Sequence, residues 1–127
     1  MSDTNRSKLM VASYLGGCAI ATSYVGVVHP FSAGLSVVLG LHHCVSNCIT
    51  MTAMGSFYPD GRREFMTMVE KQNMNIPKGV CSSLSDEQFH ALYQATIIHE
   101  KPLTNGLGNG FREILTEDKV RKIFEKM

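Results

Sequence analysis

The sequence predicts an all-α fold, and three observations carry that prediction. Where charge is present, apolar residues recur at helical spacing, as Phe65, Met68 and Val69 do, and again Val120, Ile123 and Phe124. Helix-start chemistry is well formed at Ser85-Asp86-Glu87-Gln88, a capping box with Ser85 as N-cap and Gln88 at the third position. No alternating stretch long enough for a useful strand occurs anywhere. The 127 residues are the length of one domain, and residues 1–127 are expected to form a single helical unit with a modest core.

In chain order, Ser2 or Asp3 can cap a first helix running through RSKLMVASYLGGCAIATSY. The Gly16-Gly17 pair within it is tolerated only where something packs closely against it. Gly26 marks a break. Pro30 suits the first turn of a shorter helix, PFSAGLSVVLG, with Gly40 as its C-terminal cap. A third helix is expected from His42 or His43 through CVSNCITMTAMGSF, ending in a turn at Tyr58-Pro59-Asp60-Gly61. A fourth covers REFMTMVEKQN, and Ile76-Pro77-Lys78-Gly79 reads as a linker. The capping box opens a helix that Pro102 is expected to end. LTNGLGNGF reads as a loop, and Thr116 as the cap of a last helix, EDKVRKIFEKM. There is no repeat and no low-complexity tract.

Composition excludes several functions. A net charge of +1 gives no electrostatic basis for a nucleic-acid partner, and the absence of Trp argues against a base-stacking surface. The four cysteines form no C-x-x-C pair and no disulfide framework, and MSDTNRSK is not a signal peptide, so a reducing cytoplasmic compartment is expected.

From Leu9 to Pro59 the chain contains no Asp, Glu, Lys or Arg. By length such a run can hold a membrane span, flanked by Arg6, Lys8, Arg62 and Arg63. Against a membrane, small residues outnumber large apolar ones, and His29, His42, His43 and Asn47 would be costly in lipid. A set of small-residue helices buried within protein is the better expectation.

The candidate chemistry is concentrated in Gly26 to Ile49, GVVHPFSAGLSVVLGLHHCVSNCI. His29 and His43 are 14 residues apart, ~21 Å on one straight helix and too far to share an ion. A break at Gly34 or Gly40 lets the chain fold back and bring them together. Neutral imidazoles suit zinc or ferrous iron, but two histidines fall short of the three or four protein ligands such sites need. Spacing alone therefore favours two core histidines satisfied by backbone carbonyls. Cys44 and Cys48 share a helix face and read as inert packing thiols. Asp86 and His90 have a D-x-x-x-H spacing, but the helix dipole already explains Asp86. His99-Glu100-Lys101 at a helix end requires no function, although Lys101 could meet an anionic substrate. The glycines of LTNGLGNG lack the strand and the Lys-Ser/Thr of a phosphate loop.

Gly26-Val27-Val28-His29 and His43-Cys44-Val45-Ser46-Asn47-Cys48-Ile49, with their 14-residue separation, resemble the C-terminal helical domain of the iron-containing (group III) alcohol dehydrogenases. In that family a G-x-x-H segment and a following H-G-x-x-N-A segment each supply a histidine to an active-site divalent metal. SKLMVASYLGGCAIATS resembles the helix before the first histidine, and LTNGLGNGFREILTEDKVRKIF the C-terminal end, so the resemblance covers nearly the whole chain. VGVVHPFSAGLSVVLGLHHC and ATIIHEKPLTN are most similar to the branch that oxidises the terminal alcohol of 3-deoxy-manno-octulosonate.

The resemblance implies that His29 and His43 are metal ligands, the metal being iron or zinc. It makes His42 and Asn47 candidates for supporting or substrate contacts, alongside the Lys101 already noted, and it implies NAD(P) and a small-molecule alcohol for the intact enzyme. No catalytic residue is assigned. The departures are specific. Nothing corresponds to the family's N-terminal dinucleotide-binding domain. The remaining Asp and His ligands would lie upstream of Met1. Ala33 stands where many members carry a further histidine, and Cys44 replaces the glycine after the second ligand. The chain is therefore expected to be inactive alone and to pair with a dinucleotide-binding half or to associate with further copies of itself. The alternatives are a non-enzymatic helical module that pairs with a partner chain, and a small two-span membrane protein.

Overall fold

The computed structural model describes residues 1–127. It contains eight α-helices and no strand: α1 (Asp3–Ser23), α2 (Val28–Leu39), α3 (His43–Ala53), α4 (Pro59–Lys71), α5 (Asp86–Ile97), α6 (Glu100–Leu107), α7 (Phe111–Ile114) and α8 (Glu117–Phe124). A single 3₁₀ turn, Met54–Ser56, joins α3 to α4.

The core is built around α2, which packs against both α5 and α3. Phe31 and Leu35 of α2 meet Phe89 and Leu92 of α5 and Val120 and Phe124 of α8 in one buried cluster. The Phe31 and Phe124 rings are 5.1 Å apart. Close approach of α2 to α5 depends on Gly34: a Cβ there would stand 3.0 Å from the Thr96 hydroxyl oxygen and 3.4 Å from the Leu92 carbonyl.

The capping box forms as expected, with the Gln88 N–H donating to Ser85 Oγ and the Ser85 N–H donating to Gln88 Oε1. Arg121 of α8 donates to Asp86 at 2.7 Å, joining the start of α5 to α8. These charges are exposed, so they fix alignment more than they add stability. The Val80 N–H donates to the Met127 carbonyl, and the Met127 side chain is buried.

Several elements depart from the sequence expectation. Pro59-Asp60-Gly61 is the first turn of α4 rather than a separate turn, because proline at N1 lacks only an N–H that the helix would leave unpaired. Pro102 does not end α5, which stops at Ile97; it lies in the first turn of α6 for the same reason. All of LTNGL is thereby helical, and Gly106 lets α6 press on Val27, whose methyl would be 2.8 Å from an added Cβ. Thr116 precedes α8 in extended conformation, but its side chain makes no capping bond.

The largest departure is α1. Ser2 caps it as expected, its Oγ accepting from the Asn5 N–H. None of its residues is buried, and nothing lies within 4 Å of a Cβ placed on Gly16 or Gly17. Leu9, Met10, Val11, Tyr14, Leu15 and Ile20 are all exposed. Burial of the small-residue run is thus met by α2 and α3, which carry core residues, and unmet by α1. The chain leaves α1 at Tyr24, whose φ of 65° is unusual for a residue with a side chain, and turns through 112° into α2. Asn105 of α6 holds this corner by donating to the Ser23 and Val25 carbonyls. No single helix is long and apolar enough to cross a membrane; α1 and α2 pass that test only as a bent pair.

Candidate functional site

His29 is the second residue of α2, fixed by the backbone of the α1–α2 corner. The Val27 N–H just before it is buried and donates to the Tyr58 hydroxyl at 3.1 Å. Gly40 ends α2 in the left-handed conformation, φ 67° and ψ 18°, so the chain folds back and α3 begins at His43. A hydrogen bond from Ser36 Oγ to Ser46 Oγ then pins α3 to α2. The two imidazoles meet with ring centres 5.3 Å apart and planes at 77°. The fold-back at Gly40 therefore brings together two residues that spacing alone would separate.

Both rings line an open pocket of about 770 Å³, with Asn47 one turn beyond His43, Pro102 of α6, and Ile20 and Tyr24 at the end of α1. His29 is half-buried, and His43 is exposed. Burial, and then the neighbouring His43 and His99, push the His29 pKa below its ordinary value of 6.5. The shift favours the neutral ring, which has a nitrogen lone pair to offer.

His99, read in the sequence as a helix-end residue that requires no function, lies beside His29 in space. It stands at the α5–α6 junction as the residue before α6, half-exposed, with its ring centre 5.7 Å from that of His29. No spacing rule links it to His29 or His43; only the packing of α5 on α2 brings it there.

The other candidates are placed differently. His42 caps α3 through its backbone alone, is exposed and does not line the pocket. Lys101 holds its ammonium 4.0 Å from the Tyr24 ring centre and borders a neighbouring pocket of about 970 Å³ with His99, Glu100 and Arg112. Asp86 and His90 do not converge on a common point: Asp86 pairs with Arg121, and His90 with Glu117 at 2.7 Å. Cys44 is exposed and Cys48 half-buried, so neither is a core packing thiol.

The fit to a divalent metal is partial. His29 and His43 both line one pocket, and imidazole nitrogens are ligands that zinc and ferrous iron accept. No three His, Cys, Asp or Glu side chains stand ready to hold an ion as placed. No protein-family model matches the chain.

Proposed function

We propose that this chain is the metal-binding helical part of a group III-type alcohol dehydrogenase, with His29 and His43 as two ligands of an iron or zinc ion. The observation that carries this reading is the meeting of the two imidazoles, 14 residues apart in sequence, at 5.3 Å on one pocket wall. The sequence resemblance supplies the reaction class: oxidation of a primary alcohol, as on a sugar acid such as 3-deoxy-manno-octulosonate, in the cytoplasm. When bound, the ion supplies Lewis-acid polarisation of the alcohol oxygen, and a nicotinamide accepts the hydride.

The chain's own residues hold and orient. His29 is anchored by the Val27–Tyr58 hydrogen bond, and His43 by the start of α3. The Asn47 amide, on the same pocket wall, is available to a substrate hydroxyl. Lys101, beside Tyr24, is available to a carboxylate. His42, outside the pocket lining, is the weakest of the supporting candidates.

Two ligands do not complete such a site, and the dinucleotide-binding half would supply the rest. The exposed apolar surface of α1, adjoining the histidine pocket through Ile20 and Tyr24, supports a partner on that side. Alone, the chain is expected to bind metal weakly and to show no NAD(P)-dependent turnover. Metal content of the purified chain against His29→Ala and His43→Ala tests the ligand assignment; equal content in all three rejects it. Turnover by the purified chain would reject the half-site reading.

The same exposed helix supports a second reading, a non-enzymatic module that binds a partner chain through α1. Affinity capture on wild-type chain and on a Leu15→Asp variant separates the two. A partner lost with Leu15→Asp and carrying no nucleotide-binding domain favours the module.

A further inference from the structure

His29 owes its place to the corner that precedes it. There the chain turns through 112° between α1 and α2, with Tyr24 at a φ of 65°. The Ser23 carbonyl closes α1 and, like others at a helix end, has no intrahelical donor. Asn105 of α6 supplies one. Its Nδ2 donates to the Ser23 carbonyl at 3.3 Å and to the Val25 carbonyl at 3.2 Å. Both partners are acceptors, so only the amide nitrogen can serve them. Just beyond, the His29 N–H donates to the Gly26 carbonyl at 3.3 Å, so the first turn of α2 is built on the segment that α6 holds.

The next residue of α6 makes the approach possible. A Cβ on Gly106 would lie 2.8 Å from a Val27 methyl, and 3.4 Å from both the Val27 nitrogen and the Tyr58 hydroxyl oxygen. The helix therefore packs directly over the hydrogen bond that joins those two groups. Gly26 is needed for the same contact, since a Cβ there would stand 2.5 Å from the Tyr58 hydroxyl oxygen. Leu103, fully buried in the core, fixes α6 itself. Neither Asn105 nor Gly106 lines the histidine pocket.

We propose that Asn105 and Gly106 are positioning residues: by clamping the α1–α2 corner they set the direction from which His29 meets His43. They thereby set the geometry with which this half of a site receives an ion. This rests on the reading of His29 and His43 as two ligands of a site completed from outside the chain.

Two readouts on the purified, metal-free chain test the clamp. Ring-proton nuclear Overhauser contacts, with the histidines isotopically labelled, report whether the His29 and His43 imidazoles meet. Cobalt(II) titration reports ion uptake. Asn105→Asp keeps the side-chain shape but turns a charged acceptor on two carbonyls. It should lose the ring contact and bind cobalt about tenfold more weakly, the scale of losing an outer partner of a metal ligand. Gly106→Ala should do the same. Val120→Ala, a core substitution in α8, should lower the melting temperature and leave both readouts as in wild type. If Asn105→Asp keeps the ring contact, whatever its affinity, the clamp is refuted. If Val120→Ala weakens both readouts in proportion to its melting temperature, the effect is one of general stability and the proposal falls. If wild type shows the ring contact but takes up no cobalt, the ligand reading falls and the ring contact alone decides on the clamp. If wild type shows no ring contact, the proposal falls with the observation beneath it. Should far-UV circular dichroism show Gly106→Ala unfolded, Asn105→Asp, at an exposed position, still decides.

Discussion

The Val27 N–H and the Tyr58 hydroxyl are joined by a 3.1 Å hydrogen bond that ties the start of α2 to the α3–α4 connection. Val27 is fully buried, so without the hydroxyl its N–H loses its side-chain acceptor in a dry place. Tyr58→Phe should cost about 1–3 kcal/mol, the usual penalty of stranding a buried donor. Because Val27 lies two residues before His29, the substitution should also weaken metal uptake. Thermal unfolding and cobalt affinity measured on the same preparation check both effects, and an unchanged melting temperature would contradict the first.

The lowered pKa of His29 makes stability depend on acidity. Between its folded-state value and the ordinary 6.5, the unfolded chain binds a proton at this position that the folded chain does not. The contribution from His29 is therefore full above 6.5, declines as pH falls through that interval, and falls no further below the folded-state value. Melting temperatures of metal-free wild type and His29→Asn, followed from neutrality down to about pH 5, should show wild type losing stability relative to the variant as pH falls. Parallel curves would exclude His29 as the source.

Packing separates two leucines of equal size. Leu35 is fully buried between α2 and α5, whereas Leu15 on α1 is 58% exposed. Leu35→Ala should destabilise by about 2–5 kcal/mol. Leu15→Ala should stay within about 0.5 kcal/mol in the isolated chain. Chemical denaturation of both variants measures the contrast, and a comparable loss from each would mean that α1 is covered in solution.

Thiol reactivity should follow burial. Burial pushes the Cys81 pKa up to about 11, and its side chain is almost inaccessible. Cys18 and Cys44 are exposed. Limited alkylation near neutral pH, read by peptide mass spectrometry, should label Cys18 and Cys44 first, Cys48 more slowly, and Cys81 only on unfolding. Early labelling of Cys81 would show that the C-terminal helices open locally.

The legible features were local. Ser2, Gly40 and the Ser85–Gln88 box announce helix ends through chemistry confined to three or four residues, and each stands where it was expected. The inward set Val120, Ile123 and Phe124 follows from period alone. Pro59 and Pro102 misled because proline ends one helix and begins another with equal ease, and only the neighbouring packing decides. Gly40 made a fold-back between His29 and His43 conceivable, but spacing alone favoured core histidines, and it was the family resemblance that singled the two out as ligands. His99 carried no such signal, since its place depends on how α5 lies across α2. The exposure of α1 was hidden for a similar reason: an uncharged helix states that it should be covered, not by what.

Held at its C-terminal corner by Asn105 and by Lys101 over Tyr24, α1 shares no core with the remaining helices. A helix of 21 residues with two internal glycines gains little from its own hydrogen bonds in water. Its amide protons should exchange with solvent far sooner than those of α2 and α5, and its ellipticity should fade before the main transition. A melt followed in the far ultraviolet would then superimpose a gradual, non-cooperative loss on a sharp one, and the sharp component alone would report the core that carries the histidines.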